Sequence, residues 1–232
     1  MKLIKYLANL GYGSRREVTE LVKRQGVTRR DGSVVREGDT VEHDEFVIEG
    51  RPLDPAPGAV IMLFKPVGYV CSARDANRLI YELLPSRFLN RSPVMAPIGR
   101  LDRDTSGLLL VTDDGKINHR LSSPRTHVPK VYDVRLASDL RGDEAALFAS
   151  GTLMLNGETT PLRPATLEVH GARAAQVTLM EGRYHQVRRM FAAMENHVEA
   201  LHRRAVGGVK LGSLEPGQWR LLTADEMAQL LG

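Results

Sequence analysis

The 232-residue chain contains one cysteine, Cys71. A single thiol closes no intrachain disulfide, so the fold must hold by packing alone, which suits a reducing cytoplasm. The opening MKLIKYLANLGYGSRRE has no long apolar core, because Lys5 interrupts it, and makes a poor signal peptide. No run approaches the roughly 20 apolar residues of a membrane helix, so no membrane partner is expected. Cys/His clusters with metal-ligand spacing are missing, as are GxGxxG and Walker sequences and a serine-centred elbow. These absences argue against a metal centre, a nucleotide loop, and serine or thiol hydrolysis. Repeats and low-complexity segments are also lacking. No long apolar seam invites self-association, and a monomer is expected.

What is present is ordinary in bulk. Hydrophobic residues make up 42% and charged residues 26%, with a net charge of +4, as in a soluble protein of one or two domains. The distribution of charge is more informative. Residues 1–30 carry eight basic side chains, among them Arg15, Arg16 and Lys23, against Glu17 and Glu20, a net +6. Residues 31–60 carry Arg36 and Arg51 against eight acids, a net −6. A basic face followed by an acidic one is the usual footprint of a phosphate-backbone binder.

The pattern predicts two short opening helices, from Leu3 to Leu10 and from Ser14, whose SRRE sequence makes a capping box with Glu17. Short strands punctuated by Asp31-Gly32, Gly38-Asp39 and Glu49-Gly50 follow. DPAPG, Asp54 to Gly58, reads as a linker, which places domains at 1–58 and 59–232. Beyond it, VIMLF (60–64) and LLLVT (108–112) read as buried strands, and KVYDVRL (130–136) as a strand with Tyr132, Val134 and Leu136 on one face. Asp143 to Phe148 reads as a helix. Strands are expected near Leu153–Leu155, Ala165–Val169, Ala175–Met180 and Trp219–Leu222. Helices are expected over His185–Met194 and after Thr223, which forms a second capping box with Glu226. The expected class is strand-rich α+β with hairpins, not a βαβ alternation.

Two segments could carry chemistry. In PIGRLDRDTSGLLLVTDDG, Asp102 lies between Arg100 and Arg103 at the entry to an apolar strand. Guanidinium groups on both sides offset the penalty of drawing a carboxylate towards a core. A charged, partly desolvated and positioned carboxylate can serve as nucleophile or base, or be a turn aspartate in a structural salt bridge. Asp102-Arg103-Asp104 also resembles the DxDx[TV] motif of magnesium phosphotransferases, but Ser106 stands where Thr or Val is needed and the apolar strand follows instead of preceding. In EGRYHQVRRMFAAMENH, Val187, Met190, Phe191 and Met194 form a helical stripe. Arg188 sits nearer the edge of that stripe, able to reach a cleft, and Arg189 faces away. With Arg183, Arg203, Arg204 and Lys210, residues 183–210 carry six Arg or Lys against two Glu, a basic surface suited to phosphates. His185 could shuttle protons or be a structural histidine. Tyr132 could stack on a base or be a core tyrosine.

Taken together, these segments resemble one family. FKPVGYVCS, GRLDRDTSGLLLVTDDG, KVYDV, EGRYHQVRRMFAA, LHRRAVGGVKL and LEPGQWRLLT occur here in the order found in RsuA-type pseudouridine synthases, covering about residues 60–225. Residues 1–50 are similar to the S4-type RNA-binding domain that precedes the catalytic domain there. Ile4 and QGVTRRDG depart from that domain's usual pattern. The resemblance implies a cofactor-free, metal-free isomerisation of a ribosomal RNA uridine. Its catalytic domain has a mixed, mostly antiparallel sheet flanked by helices. Asp102 matches the catalytic aspartate, Arg188 the basic residue paired with it, Tyr132 the tyrosine stacked on the target base, and Arg100 an occupant of the gap that base leaves. Segments such as YVCS favour 16S rRNA as substrate, with 23S rRNA or a catalytically idle RNA-binding assembly factor as alternatives. The expected RNA contacts are Arg100, Arg103, Arg183, Arg189, Arg203, Arg15, Arg16 and Lys23.

Overall fold

The structure is a computed structural model that describes residues 1–123 and 126–231. Helix α1 (Leu3–Asn9) and helix α2 (Arg15–Lys23) come first. The α2 capping box forms: the Ser14 hydroxyl accepts from the Glu17 amide, and the Glu17 carboxylate accepts from the Ser14 amide at 2.7 Å. Strands β1 (Val27–Arg29), β2 (Phe46–Ile48) and β3 (Arg51–Pro52) make a small antiparallel sheet. Leu3, Leu7, Val18, Val22 and Phe46 fill a core of their own between these pieces.

The large sheet begins at β4 (Val60–Lys65) and continues through β5 (Ala96–Ile98) and β6 (Thr105–Thr112). Then follow α3 (Gly115–Ser122), β7 (Lys130–Leu136), α4 (Glu144–Ser150), β8 (Thr166–Gly171) and β9 (Ala174–Leu179). The chain closes with α5 (Gln186–Ala192), β10 (Val198–Val206), β11 (Val209–Lys210), β12 (Trp219–Leu221) and α6 (Ala224–Leu231). The strand order is β12-β4-β6-β10-β7-β9-β8, and only β6 and β10 run parallel along that path. Both faces of β4 and β6 are covered. Ile61, Leu63, Leu109 and Val111 join one core, and Val60, Met62, Leu108 and Leu110 the other. That is why these strands read as unbroken apolar runs and not as alternations.

The sheet forks beside β6. One edge of β6 pairs with β4 along most of its length. The other edge pairs first with β10, at residues 105–107, and then with β5, at 110–112. Gly107 makes the first pairing possible: its φ is +114°, and a Cβ there would stand 2.3 Å from the Arg203 carbonyl oxygen. The wedge between β5 and β10 is where the 99–104 loop sits.

Two expectations need correction. Leu153–Leu155 is not a strand; the segment is irregular, anchored by the Leu162 amide on the Leu153 carbonyl. The helix expected over 185–194 is shorter, because His185 takes a left-handed conformation, φ +49°, immediately before it.

Two ion pairs, one of them buried, anchor the 54–58 segment that joins the small core to the large sheet. Arg91 donates to Asp113 through Nε at 3.0 Å and Nη2 at 2.5 Å, both side chains almost wholly buried, and its Nη1 reaches the Pro55 carbonyl. Asp113 also accepts from the Gly58 amide, and Arg87 pairs with Asp54.

Candidate active site

Asp102 stands in the loop that turns from β5 into β6, where the fork opens. Three groups immobilise this loop from below. Lys65, fully buried at the end of β4, donates from Nζ to the carbonyls of Thr105 at 2.7 Å, Pro66 at 3.1 Å and Arg103 at 3.3 Å. The Gly68 amide also binds the Arg103 carbonyl, and the Leu101 amide lies 3.5 Å from Cys71 Sγ. Burial pulls the Lys65 pKa down from the usual 10.5 to about 8, opposed by Cys71, Asp102 and Asp104 and helped by the Arg203 charge. Burial pushes the Cys71 thiol up. The KPVG segment, which reads in sequence only as a turn, therefore supplies the clamp of the loop.

The loop borders a cavity of about 410 Å³, whose wall includes Asp102, Tyr132, Arg100, Thr105, His185 and Arg203. That volume is within the range of small-ligand sites. Tyr132, 8% exposed, presents from β7, where alternation puts it on the same face as Val134. Lys130, two residues earlier on that face, has its pKa lowered by burial and by the neighbouring Arg203 charge. At the rim, Tyr184 is 71% exposed and stacks on His185 with ring centroids 3.9 Å apart.

The basic residues separate into distinct roles. Arg100 and Arg103 are exposed beside Asp102, with no side-chain partner among the described residues. Arg15, Arg16 and Lys23 are exposed on α2, and Lys23 is paired with Glu20. Arg188 does not reach Asp102. Where α5 crosses between the loop and the start of β10, its guanidinium spans two carbonyls, Val198 at 2.8 Å and Asp104 at 3.0 Å. The side chain that faces Asp102 is instead His185, whose Nε2 lies 3.2 Å from Oδ1. Arg183 and Arg189 do not form a free basic surface. Both bind Glu158, at 3.1 and 2.8 Å; Arg183 also donates from Nε to Glu181 at 3.2 Å, and other donors of the pair take carbonyls of Thr160, Pro161, Asn156 and Tyr184. These bonds hold the Glu158 carboxyl below its usual pKa and tie the 156–161 loop to α5. Arg203 is not on the surface at all. It is 2% exposed at the centre of the sheet, donating from Nε to the Leu108 carbonyl at 2.7 Å.

A clamped carboxylate at the mouth, a tyrosine in the wall and cations at the rim make a site for a planar ring carried on a phosphodiester chain. An enzyme acting on a base within RNA has this construction. The chain belongs to the RNA pseudouridylate synthase family, whose profile matches residues 59–193. It is 42% identical, over the whole of both chains, to the ribosomal small subunit pseudouridine synthase A of Escherichia coli (strain K12). It is 40% identical to the Pasteurella multocida (strain Pm70) protein of the same name, over 98% of each chain. A solved pseudouridylate synthase structure superimposes with a TM-score of 0.69 at 36% identity, covering 99% of both chains. The chain is thus an RNA pseudouridine synthase with the mixed sheet and flanking helices of that fold.

Proposed function

We propose that this enzyme converts one uridine of small-subunit (16S) ribosomal RNA to pseudouridine, in the cytoplasm and as a monomer. The observation that carries the chemistry is the position of Asp102, on a loop clamped at the fork and beside the cavity that Tyr132 lines. The choice of the small subunit is supported by the names of relatives matched over the whole chain.

Within a structured RNA the target must leave its stack before its C1′ can be reached. Arg100, free and exposed at the mouth, is placed to fill the gap. Tyr132 stacks on the extruded uracil. Asp102 acts on the sugar, either by attack at C1′ or as a base, while the C1′–N1 bond breaks. The cavity wall holds the detached base as it turns and is rejoined through C5. Arg188 fixes the loop through the Asp104 carbonyl, and His185 orients the Asp102 carboxylate. Residues 1–58 act as an S4-like RNA-binding domain, with Arg15, Arg16 and Arg103 on phosphates.

Pseudouridine mapping tests this reading. Purified enzyme is incubated with unmodified 16S and 23S RNA, naked and in partly assembled particles. Carbodiimide labelling and primer extension then locate any product. One new stop in 16S RNA, lost with Asp102→Asn, is expected. A stop only in 23S RNA refutes the substrate, and binding without any stop refutes the catalytic role.

A further inference from the structure

Among the described residues, two buried side-chain polar atoms have no hydrogen-bond partner: Arg203 Nη2 and Thr105 Oγ1. Both residues belong to the wall of the cavity beside Asp102. Thr105 is 1% exposed and Arg203 2%. Leaving such groups unpaired forfeits their hydration without return, most of all for a charged one, so native folds keep few of them. The Arg203 guanidinium has no carboxylate against it, only the Leu108 carbonyl on Nε.

The sheet register places these two residues side by side on adjacent strands. In the parallel β6–β10 pair, Leu201 lies opposite Thr105 and Arg203 opposite Gly107. Thr105 and Arg203 are therefore diagonal neighbours on one face. Across the other edge of β10, Arg203 lies opposite Tyr132. Thr105 is also three residues from Asp102, its amide bonded to the Asp102 carbonyl at 3.1 Å.

We propose that Arg203 Nη2 and Thr105 Oγ1 both donate to one exocyclic carbonyl oxygen of the target uracil and stabilise the negative charge that the base carries while detached. This rests on the isomerisation proposed above. Two donors match the two lone pairs of a carbonyl oxygen. A planar ring against Tyr132 brings its edge to the residue facing Tyr132 across the strands. The electron count creates the need. When C1′–N1 breaks, the bonding pair stays with the ring and spreads from N1 onto the carbonyl oxygens. When C1′–C5 forms, the ring returns a pair, C5 loses its proton and N1 gains one, and nothing else is consumed. Charge is thus greatest on the oxygens midway, in a site where a fixed buried donor acts most strongly.

The test uses the full-length enzyme with 16S RNA carrying either uridine or 5-fluorouridine at the mapped site. Thr105→Val keeps the shape and removes only the unpartnered hydroxyl. Arg203→Lys keeps the charge and removes the fork. With unfolding midpoint and RNA affinity near wild type for Thr105→Val, its single-turnover rate on uridine RNA should fall by roughly tenfold or more. Arg203→Lys should lose about 10²–10³-fold, the usual effect of removing an oxyanion donor. Fluorine stands where the departing C5 proton would be, so on that substrate, as on uridine, the rate compared is that of C1′–N1 cleavage with C1′–C5 joining. The fluorinated ring carries negative charge more readily, so both defects should shrink on it. Equal defects on the two substrates overturn the proposal in favour of a structural role, as does a wild-type rate for Thr105→Val. If wild type itself converts no uridine, the isomerisation reading fails and takes this proposal with it.

Discussion

Replacing Lys65 with methionine should change stability in a pH-dependent way whose sign and size follow from its burial. Lys65 is fully buried, and its pKa is pulled down to about 8. In the unfolded chain it returns to about 10.5. The unfolded state therefore binds more protons between these values, and stability rises with pH across the window. The penalty for keeping the ammonium buried is fully present below about pH 8 and fades as pH approaches 10.5. Between about pH 7 and about pH 9.5 the relief amounts to roughly 2 kcal/mol. The methionine variant lacks it. Urea unfolding of both proteins at the two pH values, each in a Cys71→Ser background so that the coupled thiol does not titrate in the same window, isolates the lysine. Wild type should gain roughly 2 kcal/mol more than Lys65→Met on going to the higher pH. A difference that stays flat with pH would refute the assignment of a desolvated ammonium under the loop. In the same variant the carbonyls of Pro66, Arg103 and Thr105 lose their common donor. Turnover should then fall by about 10²-fold as Asp102 loses its placement. RNA affinity, read by filter binding, should hold.

Other consequences are equally direct. Asp102→Asn should abolish product formation and leave RNA binding intact. It should cost less than about 1 kcal/mol in urea unfolding, because the Asp102–His185 pair is about one-third exposed. Arg91→Met strands the buried Asp113 carboxylate and should lower unfolding stability by roughly 3–5 kcal/mol, with most of the loss recovered when Asp113→Leu is added. Arg15→Ala with Arg16→Ala removes two exposed cations from α2 and should flatten the dependence of log affinity on log salt by about 1–2. An unchanged slope would place α2 away from the RNA.

Where sequence reading succeeded and failed has a common physical cause. Elements whose side chains are sorted by solvent were legible. The α2 capping box pairs adjacent polar groups at a helix end, β4 and β6 are apolar on both faces, and β7 alternates. Strand β10, VEALHRRAV, was not legible, although it holds the middle of the sheet. It carries a glutamate, a histidine and two arginines, and no period-2 rule predicts that one arginine points inward. The same confusion turned Arg183, Arg189 and Arg203 into a supposed phosphate surface. Charge is visible in a sequence, but the carbonyl that a guanidinium binds is not. Arg183, Arg188 and Arg189 all bind backbone oxygens, from loops whose approach is set by tertiary packing. The Leu153–Leu155 segment failed in the opposite sense: an apolar triplet extends only where a sheet edge takes it, and here the Leu153 carbonyl binds the Leu162 amide instead.

Asp102 and Tyr132, in contrast, stood out because each combines a chemical group with a strand entry or face that directs it. Arg203 shares the cavity wall with them but breaks the pattern of its strand, which is where consistency between local sequence and global fold is expected to yield to a site. A stable core would put an aliphatic residue opposite Tyr132. The fold instead keeps a guanidinium there with one donor unpaired, at a point where Gly107 lets β6 come close enough to supply the Leu108 carbonyl to its Nε. Such an arrangement orients the remaining donor before any ligand arrives. A ligand carbonyl that takes it gains a preorganised hydrogen bond without displacing an internal one, which favours the base in its charged form.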